Sequence, residues 1–190
     1  MPRVNPAEEE IRQVPGVIVL NYADDTTLIG SPDAVKAAFS VMTTSAKQKA
    51  NLHVSKPKSL LYGGDDVTTD QLEETASAMG VEARPSGIVV AGSPIGTPVF
   101  MAQYLKGKVE ECKKMICRLV ELTLTTTEAK APIQSILRTL AYTPSRLIYL
   151  ARTLPPFHPE ITALFKDFDA YLYQAWQLIT RIKLPPRSSL

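Results

Sequence analysis

One stretch of this sequence constrains the fold more than any other, because two apolar runs flank a pair of adjacent acids. The runs are residues 17–22 and 26–30, and the acids are Asp24 and Asp25. Valine, isoleucine and threonine favour the pleated backbone of a β-strand. The stretch therefore predicts a strand, a tight turn at Ala23 and Asp24, and a return strand. Both carboxylates would lie at the exposed tip of this hairpin.

The acid pair has two interpretations. Carboxylates that are held side by side repel each other unless a cation lies between them, and clustered hard oxygens suit Mg²⁺ or Mn²⁺. The alternative is an ordinary polar turn, because aspartate is a common turn residue. The sequence on either side of the acids decides between a metal-binding pair and an ordinary turn.

Size and charge set loose limits on function. The 190 residues are 45% hydrophobic and 21% charged, which is ordinary for a globular protein of one domain or two small ones. A net charge of +2 excludes a global basic field, so any nucleic-acid surface must be local. No apolar run approaches the ~18 residues of a membrane span, and the N-terminus has no signal-peptide pattern. We expect an intracellular protein, nuclear or cytoplasmic, with no membrane partner.

The order of the patterns divides the chain into three parts. Residues 1–13 are polar and predict a linker or the fraying end of a helix. Residues 14–96 combine β-prone runs with amphipathic helices, and residues 97–190 contain only helical patterns. The predicted fold class is α+β: a small antiparallel sheet with packed helices, followed by an all-helical bundle.

Two helices are predicted in the first half of the chain. One begins at Ser31-Pro32, because a hydroxyl cap followed by proline is a preferred helix start. The other begins at Thr68 with a capping-box spacing and ends at Gly80. A second acid pair, Asp65-Asp66, leads into this helix start and has no return strand, so we expect it in an exposed loop.

Three further short strands are predicted from alternation or β-prone composition, at residues 52–54, 59–62 and 87–92. A loop that contains Lys56 and Lys58 lies between the first two of them. Residues 93–96, Ser-Pro-Ile-Gly, are interpreted as a sharp break after the last strand.

Two of these segments resemble motifs of reverse transcriptases. Tyr22-Ala23-Asp24-Asp25 between two apolar strands resembles the Tyr-x-Asp-Asp hairpin of that family. Residues 51–59 look like the family's next motif, Gly-Leu-x-Val-Asn-x-x-Lys-Ser. In this chain Asn51 stands in place of the glycine and Ser55 in place of the asparagine.

A third segment narrows the resemblance to non-LTR, LINE-like retrotransposon enzymes. Residues 92–96 are similar to the turn of their primer-grip hairpin, with Ala91 in place of the usual leucine. The helical region that ends near residues 152–156 looks like the thumb. The resemblance covers about residues 14–156 in the family's order, and it implies a C-terminal part of the palm at 14–96 followed by a thumb-like region at 97–190.

The resemblance implies an RNA-directed DNA polymerase that transfers nucleotides by a two-metal mechanism. Asp24 would be the stronger ligand of Mg²⁺ or Mn²⁺ and Asp25 the weaker one. Tyr22 would pack beneath the primer end. Lys58 would neutralise or protonate the departing pyrophosphate, with Lys56 as the competing candidate.

The implied partners are an RNA template, a DNA primer and deoxynucleoside triphosphates. The turn after the last strand would let the backbone approach the primer closely, through Gly92, Ser93, Pro94 and Gly96. In the helical half, a basic face that includes Lys106 and Lys113 would contact the template–primer backbone. An ordinary solvated helix face explains the same lysines equally well. If the resemblance holds, Asp24, Lys58 and Gly92 line one face of one antiparallel sheet.

The implied site is incomplete in this sequence. In the family, a third carboxylate and a Gln-Gly segment come from upstream of the hairpin, and neither occurs in the residues before Val17. We therefore expect these residues to be a partial palm and thumb that hold Mg²⁺ or Mn²⁺ only in the complete site, together with the fingers and the rest of the palm. Alone they are expected not to polymerise.

Two other hypotheses remain open. One is a non-catalytic nucleic-acid-binding or interaction module derived from such an enzyme, which would need a basic helical face but not Asp24. The other is an unrelated small α+β domain that acts through protein contacts.

Overall fold

The computed structural model describes residues 6–22, 25–125 and 133–182. The chain divides into two compact units, Met1–Gly96 and Thr97–Leu190. All described strands belong to the first unit, and the regular elements described in the second are helices. The chain is a mixed α+β protein, which confirms the predicted fold class at this level.

The first unit begins with a short helix and a hairpin. Helix α1 spans Pro6–Arg12, strand β1 spans Val17–Tyr22, strand β2 spans Asp25–Gly30 and helix α2 spans Pro32–Ala50. The remaining elements are short. In chain order they are a 3-10 helix Lys56–Lys58, β3 Leu60–Leu61, α3 Thr69–Met79, β4 Glu82–Ala83, β5 Gly87–Val90 and β6 Ser93–Gly96.

Strands β1 and β2 form an antiparallel pair that ends with Tyr22 opposite Asp25. This register leaves a connection of two residues, so the two predicted strands and their pairing are confirmed. Ala23 and Asp24, the connection itself, lie outside the described residues.

Helix α2 carries the core of the first unit. It begins as predicted, since Ser31 Oγ accepts a hydrogen bond from a backbone N–H of the first turn. On one part of its apolar face Ala38 packs with Val19 of β1. On another part Phe39 packs with Met79 of α3. The hairpin and α3 are therefore held by the same helix.

The polar N-terminal segment is structured where it is described. Ile11 of α1 is 3% exposed and packs with the hairpin core. The carboxylate of Glu10 accepts hydrogen bonds from the Ser45 hydroxyl and the Lys49 ammonium of α2. The prediction of a linker or fraying helix end is wrong for Pro6–Arg12, because these contacts are tertiary and a seven-residue helix has almost no periodic signal of its own.

The prediction of one antiparallel sheet is also wrong. The described strands form three separate two-stranded sheets, and the pair β3–β4 is parallel. The parallel pairing follows from α3, which connects the two strands as a crossover. Each of these strands has two residues, and the 3-10 helix before β3 and Gly63-Gly64 after it leave no room for a longer one. Strands this short cannot join the two hairpins into one sheet.

Two local strand predictions differ from the structure. Residues 51–55 form no strand, because Asn51 ends α2 in a left-handed conformation, with φ of 51°, and the chain passes directly into the 3-10 helix. Residues 93–96 do not simply break the strand before them. They form β6, in which Pro94 lies opposite Val89 of β5. Proline is compatible with this strand because a two-stranded sheet consists only of edges.

The second unit consists of long and short helices around one core. Helix α4 spans Pro98–Thr125, α5 spans Ile133–Tyr142, α6 spans Ser145–Thr153 and α7 spans Pro159–Thr180. Helices α4 and α7 pack along each other, and α5 and α6 pack against α4. The fully buried side chains of this core include Leu105, Ile116 and Ile161. Among the described residues, no helix has the length and apolar character needed to cross a membrane.

Candidate functional site

The tip of the β1–β2 hairpin is the centre of the candidate site. Tyr22 and Asp25 are directly opposed, and directly opposed residues of an antiparallel pair project on the same face. The Tyr22 side chain is 70% exposed and Asp25 is also exposed. The predicted partner Asp24 lies outside the described residues, so the tip is defined here by the residues on either side of it.

The two faces of this hairpin differ in what covers them. On the inner face, Val19 and Leu28 pack against α2. On the outer face, Leu20 is 50% exposed and Ile18 and its cross-strand partner Ile29 are also exposed. The hairpin therefore has one anchored face and one apolar face open to solvent, with Tyr22 and Asp25 on the open face.

Asp25 is the carboxylate that the structure describes at the hairpin tip, and Asp24 lies outside the described residues. Within residues 6–22, 25–125 and 133–182, no three histidine, cysteine, aspartate or glutamate side chains come together. Mg²⁺ requires near-octahedral oxygen coordination, usually from one or two carboxylates together with substrate phosphates and water. Of the described residues at the hairpin tip, Asp25 is the one that would supply a carboxylate to such an ion.

The lysine loop is a single 3-10 turn with defined hydrogen bonds. The backbone N–H of Lys58 donates to the carbonyl of Ser55 at 3.0 Å, and the N–H of Ser59 donates to the carbonyl of Lys56 at 3.1 Å. The Ser59 hydroxyl also donates to the Ser55 carbonyl at 3.0 Å. These bonds hold both lysines on a short, ordered segment.

The two lysines have different surroundings. Lys56 Nζ lies 3.6 Å from the position that a Cβ would occupy at Gly80, the left-handed residue that ends α3. An ammonium near a helix C-terminus is favoured by the helix dipole, so Lys56 lies where the end of α3 attracts its charge. Both lysines are exposed, and neither makes an ion pair with another described residue.

The lysine loop and the first hairpin share a core although they do not share a sheet. Val54 and Leu61 flank the loop, and both pack in the cluster that contains Leu28 of β2 and Phe39 of α2. The two elements are thus attached to the same part of α2.

The second hairpin, β5–β6, also has a two-residue connection. Val90 lies opposite Ser93, and between them Ala91 and Gly92 have φ of 48° and 81°. Two consecutive positive φ values are characteristic of a type I′ turn, the preferred geometry for such a connection. The predicted primer-contact residues thus occupy a hairpin: Gly92 in its turn and Ser93, Pro94 and Gly96 in its return strand.

The three predicted parts of the site are not united in one sheet. Asp25 belongs to β1–β2, Lys58 precedes β3, and Gly92 connects β5 to β6, which is not hydrogen-bonded to the other sheets. The structure places Asp25 and Lys58 on elements that share a core, and it places Gly92 on a separate hairpin.

The lysines predicted on α4 are partly engaged within the helix. Lys113 forms an ion pair with Glu110 at 3.2 Å and lies over the ring of Tyr171, 5.7 Å from its centre. Lys108 forms an ion pair with Glu111 at 3.0 Å, and this carboxylate raises the pKa of the lysine. Lys106 is exposed. Two of the lysines on this face are therefore already neutralised by acids of the same helix.

A different basic surface was not predicted. Arg138 and Tyr142 are exposed on α5, and Tyr149 and Arg152 are exposed on α6. The signal that could have found it is the repeated spacing of an arginine and a tyrosine three or four residues apart on helices with no acids between them.

Comparison with protein-family models, with curated proteins and with solved structures found no significant match to this chain.

Proposed function

We propose that this chain is part of a reverse transcriptase, an RNA-directed DNA polymerase, and contributes the hairpin that carries two of its catalytic carboxylates. One observation carries the proposal. Tyr22 and Asp25 face each other across a two-residue connection, so the Tyr-Ala-Asp-Asp segment spans the tip of an antiparallel hairpin, as such a site requires.

The order and attachment of the other elements support the proposal. The hairpin is followed by α2, by the ordered Lys56–Lys58 turn on the same core, and by a second two-residue hairpin at Gly92. The two hairpins and the lysine turn each carry a segment that resembles a family motif, and they follow one another in the family's order. Lys58 is the preferred candidate for the leaving-group lysine, because Lys56 Nζ lies near the C-terminal end of α3.

In the proposed enzyme, Asp24 and Asp25 are two of the ligands of Mg²⁺ or Mn²⁺, and these ions supply the charge that stabilises nucleotidyl transfer. Tyr22 supports the primer end, and the β5–β6 hairpin contacts the primer backbone. Lys106 and Lys113 are the template–primer contacts implied for α4. The RNA template, the DNA primer and deoxynucleoside triphosphates are the proposed ligands.

The proposed enzyme needs a further part of its palm. The resemblance implies a third carboxylate on a strand upstream of the hairpin, and among the described residues before Val17 there is a helix but no strand. The outer face of the first hairpin is apolar and open, which is the kind of surface that another segment covers. We propose that the rest of the palm and the fingers pack on this face and supply the missing carboxylate.

The test is RNA-templated primer extension by the chain expressed together with the coding sequence upstream of Met1. The proposal predicts an open frame there that encodes a strand-borne aspartate, and DNA synthesis that Asp24→Ala abolishes. Synthesis that persists in Asp24→Ala would contradict the proposal, as would the lack of an aspartate in the upstream frame.

One observation favours a second candidate function. The exposed arginines of α5 and α6, Arg138 and Arg152, favour a non-catalytic nucleic-acid-binding module, which needs a basic helical face but not Asp24. That function predicts salt-dependent binding to a primer–template duplex that is unchanged by Asp24→Ala, together with no synthesis by the longer protein.

A further inference from the structure

Charge is distributed unevenly between the two units. Lysine and arginine outnumber aspartate and glutamate thirteen to seven in residues 97–190, whereas acids outnumber bases twelve to eight in residues 1–96. The asymmetry is greatest in residues 129–159, which contain no acid. The cations in this stretch are Lys130, Arg138, Arg146 and Arg152. A local positive field of this kind attracts polyanions even when the whole chain is nearly neutral.

The described arginines of this stretch share helix faces with large aromatic rings. On α5, Arg138 and Tyr142 are four residues apart and exposed, while Ile136 and Leu140 on the opposite face are buried. Residues four apart on a helix are neighbours on its surface. The guanidinium and the ring are therefore presented together to solvent.

The same arrangement recurs on α6. Tyr149 and Arg152 are three residues apart and exposed, while Leu147, Leu150 and Leu154 are buried in the core of the unit. Because α5 and α6 both pack against α4, their polar faces both point away from that helix.

Three aromatic rings of this acid-free stretch are exposed to solvent. Tyr142 is 67% exposed, Tyr149 is 46% exposed, and Phe157, in the loop after α6, is 94% exposed. Burying a large aromatic side chain is strongly favourable, so a ligand that covered these three rings would gain binding energy from them.

The arginines are also available for a ligand. Within the described ranges, neither Arg138 nor Arg152 forms an ion pair. On α4, by contrast, Lys108 and Lys113 are paired with glutamates of the same helix. An anionic ligand would have to displace these glutamates on α4 but not on α5 and α6.

We propose that the outer faces of α5 and α6 bind single-stranded nucleic acid. Arg138 and Arg152 contact phosphates, and Tyr142, Tyr149 and Phe157 stack on bases. A single strand is favoured over a duplex because exposed rings can stack only on bases that are not already stacked in a helix. The proposal rests on the proposed function for its choice of nucleic acid, since RNA template and DNA primer are strands that a polymerase handles.

The test is fluorescence anisotropy with the 190-residue chain and a labelled oligouridylate of about twenty nucleotides, longer than one typical binding site. A base-paired hairpin of equal charge and vesicles with anionic headgroups serve as competing ligands. Tyr142→Ala/Tyr149→Ala removes the stacking rings, and Tyr142→Phe/Tyr149→Phe keeps the rings without their hydroxyls. Arg138→Gln/Arg152→Gln removes two charges, and Lys36→Gln/Lys47→Gln removes two exposed charges of the first unit as a matched control.

The proposal predicts at least about tenfold weaker binding for the alanine pair and near-normal binding for the phenylalanine pair. The arginine pair should lower the slope of log affinity against log salt by about 1.4, since each lost phosphate contact of a single strand contributes about 0.7. The control pair should leave both quantities unchanged. Circular dichroism of each variant, matching the parent chain, excludes unfolding as the cause.

Three outcomes would overturn the proposal: equal binding by the alanine pair, preference for the base-paired hairpin, or preference for the vesicles. Binding is independent of Asp24, so Asp24→Ala separates this proposal from the polymerase. If binding fails while synthesis by the longer protein depends on Asp24, only the present proposal fails. If the chain binds the oligouridylate but the longer protein makes no DNA, only the polymerase proposal is contradicted.

Discussion

Gly30 closes the base of the first hairpin and shows how a single residue supports the candidate site. A Cβ at this position would lie 2.5 Å from the carbonyl oxygen of Gly16, closer than real Cβ contacts allow. The glycine therefore lets the two ends of the hairpin approach each other, and so helps to fix the strands that carry Tyr22 and Asp25.

Gly30→Ala should destabilise the first unit by about 1–3 kcal/mol, because the neighbour in contact is backbone and cannot move cheaply. Urea denaturation followed by circular dichroism checks this as a lower midpoint. Gly64→Ala is the matched control, since a Cβ there has no atom within 4 Å and should leave the midpoint unchanged. An unchanged midpoint for Gly30→Ala would show that the close approach does not exist.

Glu10 joins α1 to α2 and introduces a pH dependence. Its hydrogen bond from Lys49, and then that from Ser45, lower the pKa of the carboxyl below its ordinary value. A carboxyl with a lowered pKa in the folded state stabilises the protein above its unfolded pKa of about 4.3 and loses that stabilisation as pH falls through the folded value. The attachment of α1 should therefore weaken in acid.

Glu10→Gln should remove this pH-dependent contribution. The stability of the variant should be lower than that of the parent at pH 7, and the two should converge as pH falls below about 4. Thermal unfolding across pH 3–7 measures the difference, with Glu9→Gln, an exposed neighbour on the same helix, as control. A constant difference across this range would mean that Glu10 acts through packing instead of charge.

At the residue scale, the sequence identified Lys56 and Lys58 as candidates, but it could not show what lies next to each side chain in the fold. The position of Lys56 depends on where α3 ends, and Gly80 is far from it in the chain. The engagement of Lys113 with Glu110 and Tyr171 is likewise partly tertiary. Such contacts decide which charged side chains are available, and they follow from packing that no local pattern encodes.

At the scale of elements, capped helices were the most predictable features. Ser31 and Thr68 act as caps, and Gly80 ends α3 in a left-handed conformation, as predicted. The strand Ser93–Gly96 was missed because serine, proline and glycine are typical of breaks. The prediction of one antiparallel sheet was wrong for a different reason. Strand pairing depends on which elements meet in space, and a strand of two residues has no sequence pattern that identifies its partner.

The turn of the second hairpin gives a prediction at this scale. Ala91 adopts a positive φ of 48°, which costs a residue with a side chain about 1 kcal/mol relative to glycine. Ala91→Gly should therefore stabilise the β5–β6 hairpin or leave it unchanged, and Gly92→Ala should weaken it. Amide hydrogen exchange of Gly87–Val90 and Ser93–Gly96 measures the effect on this hairpin alone. Equal protection in both variants would contradict the assigned turn.

At the scale of the whole molecule, the chain pairs an acidic α/β unit with a basic helical unit. The first unit presents a hairpin that has the exposed Asp25 at its tip and an apolar outer face open to solvent. The second presents arginines and aromatic rings. The sequence predicted the acid pair and its hairpin, but the basic surface of α5 and α6 depends on exposure, which only the packed helices reveal.

The resemblance implies that Asp24 and Asp25 need a third carboxylate from a strand upstream of the hairpin, and no such motif occurs in the residues before Val17. The 190-residue chain should therefore not extend a primer on an RNA template, with either Mg²⁺ or Mn²⁺. Gel-resolved extension of a labelled primer tests this. Product from the chain alone that is lost in Asp24→Ala would show that the site is complete without further residues.

The most direct test of the central claim compares the two acid pairs of the chain within the longer protein. Asp24→Ala/Asp25→Ala should reduce RNA-templated DNA synthesis by at least about a hundredfold, since metal-held charge contributes several kcal/mol. Asp65→Ala/Asp66→Ala changes an equally charged pair in an exposed turn and should leave synthesis unchanged. Equal activity of the two double variants would contradict the claim that the β1–β2 hairpin is part of a polymerase site.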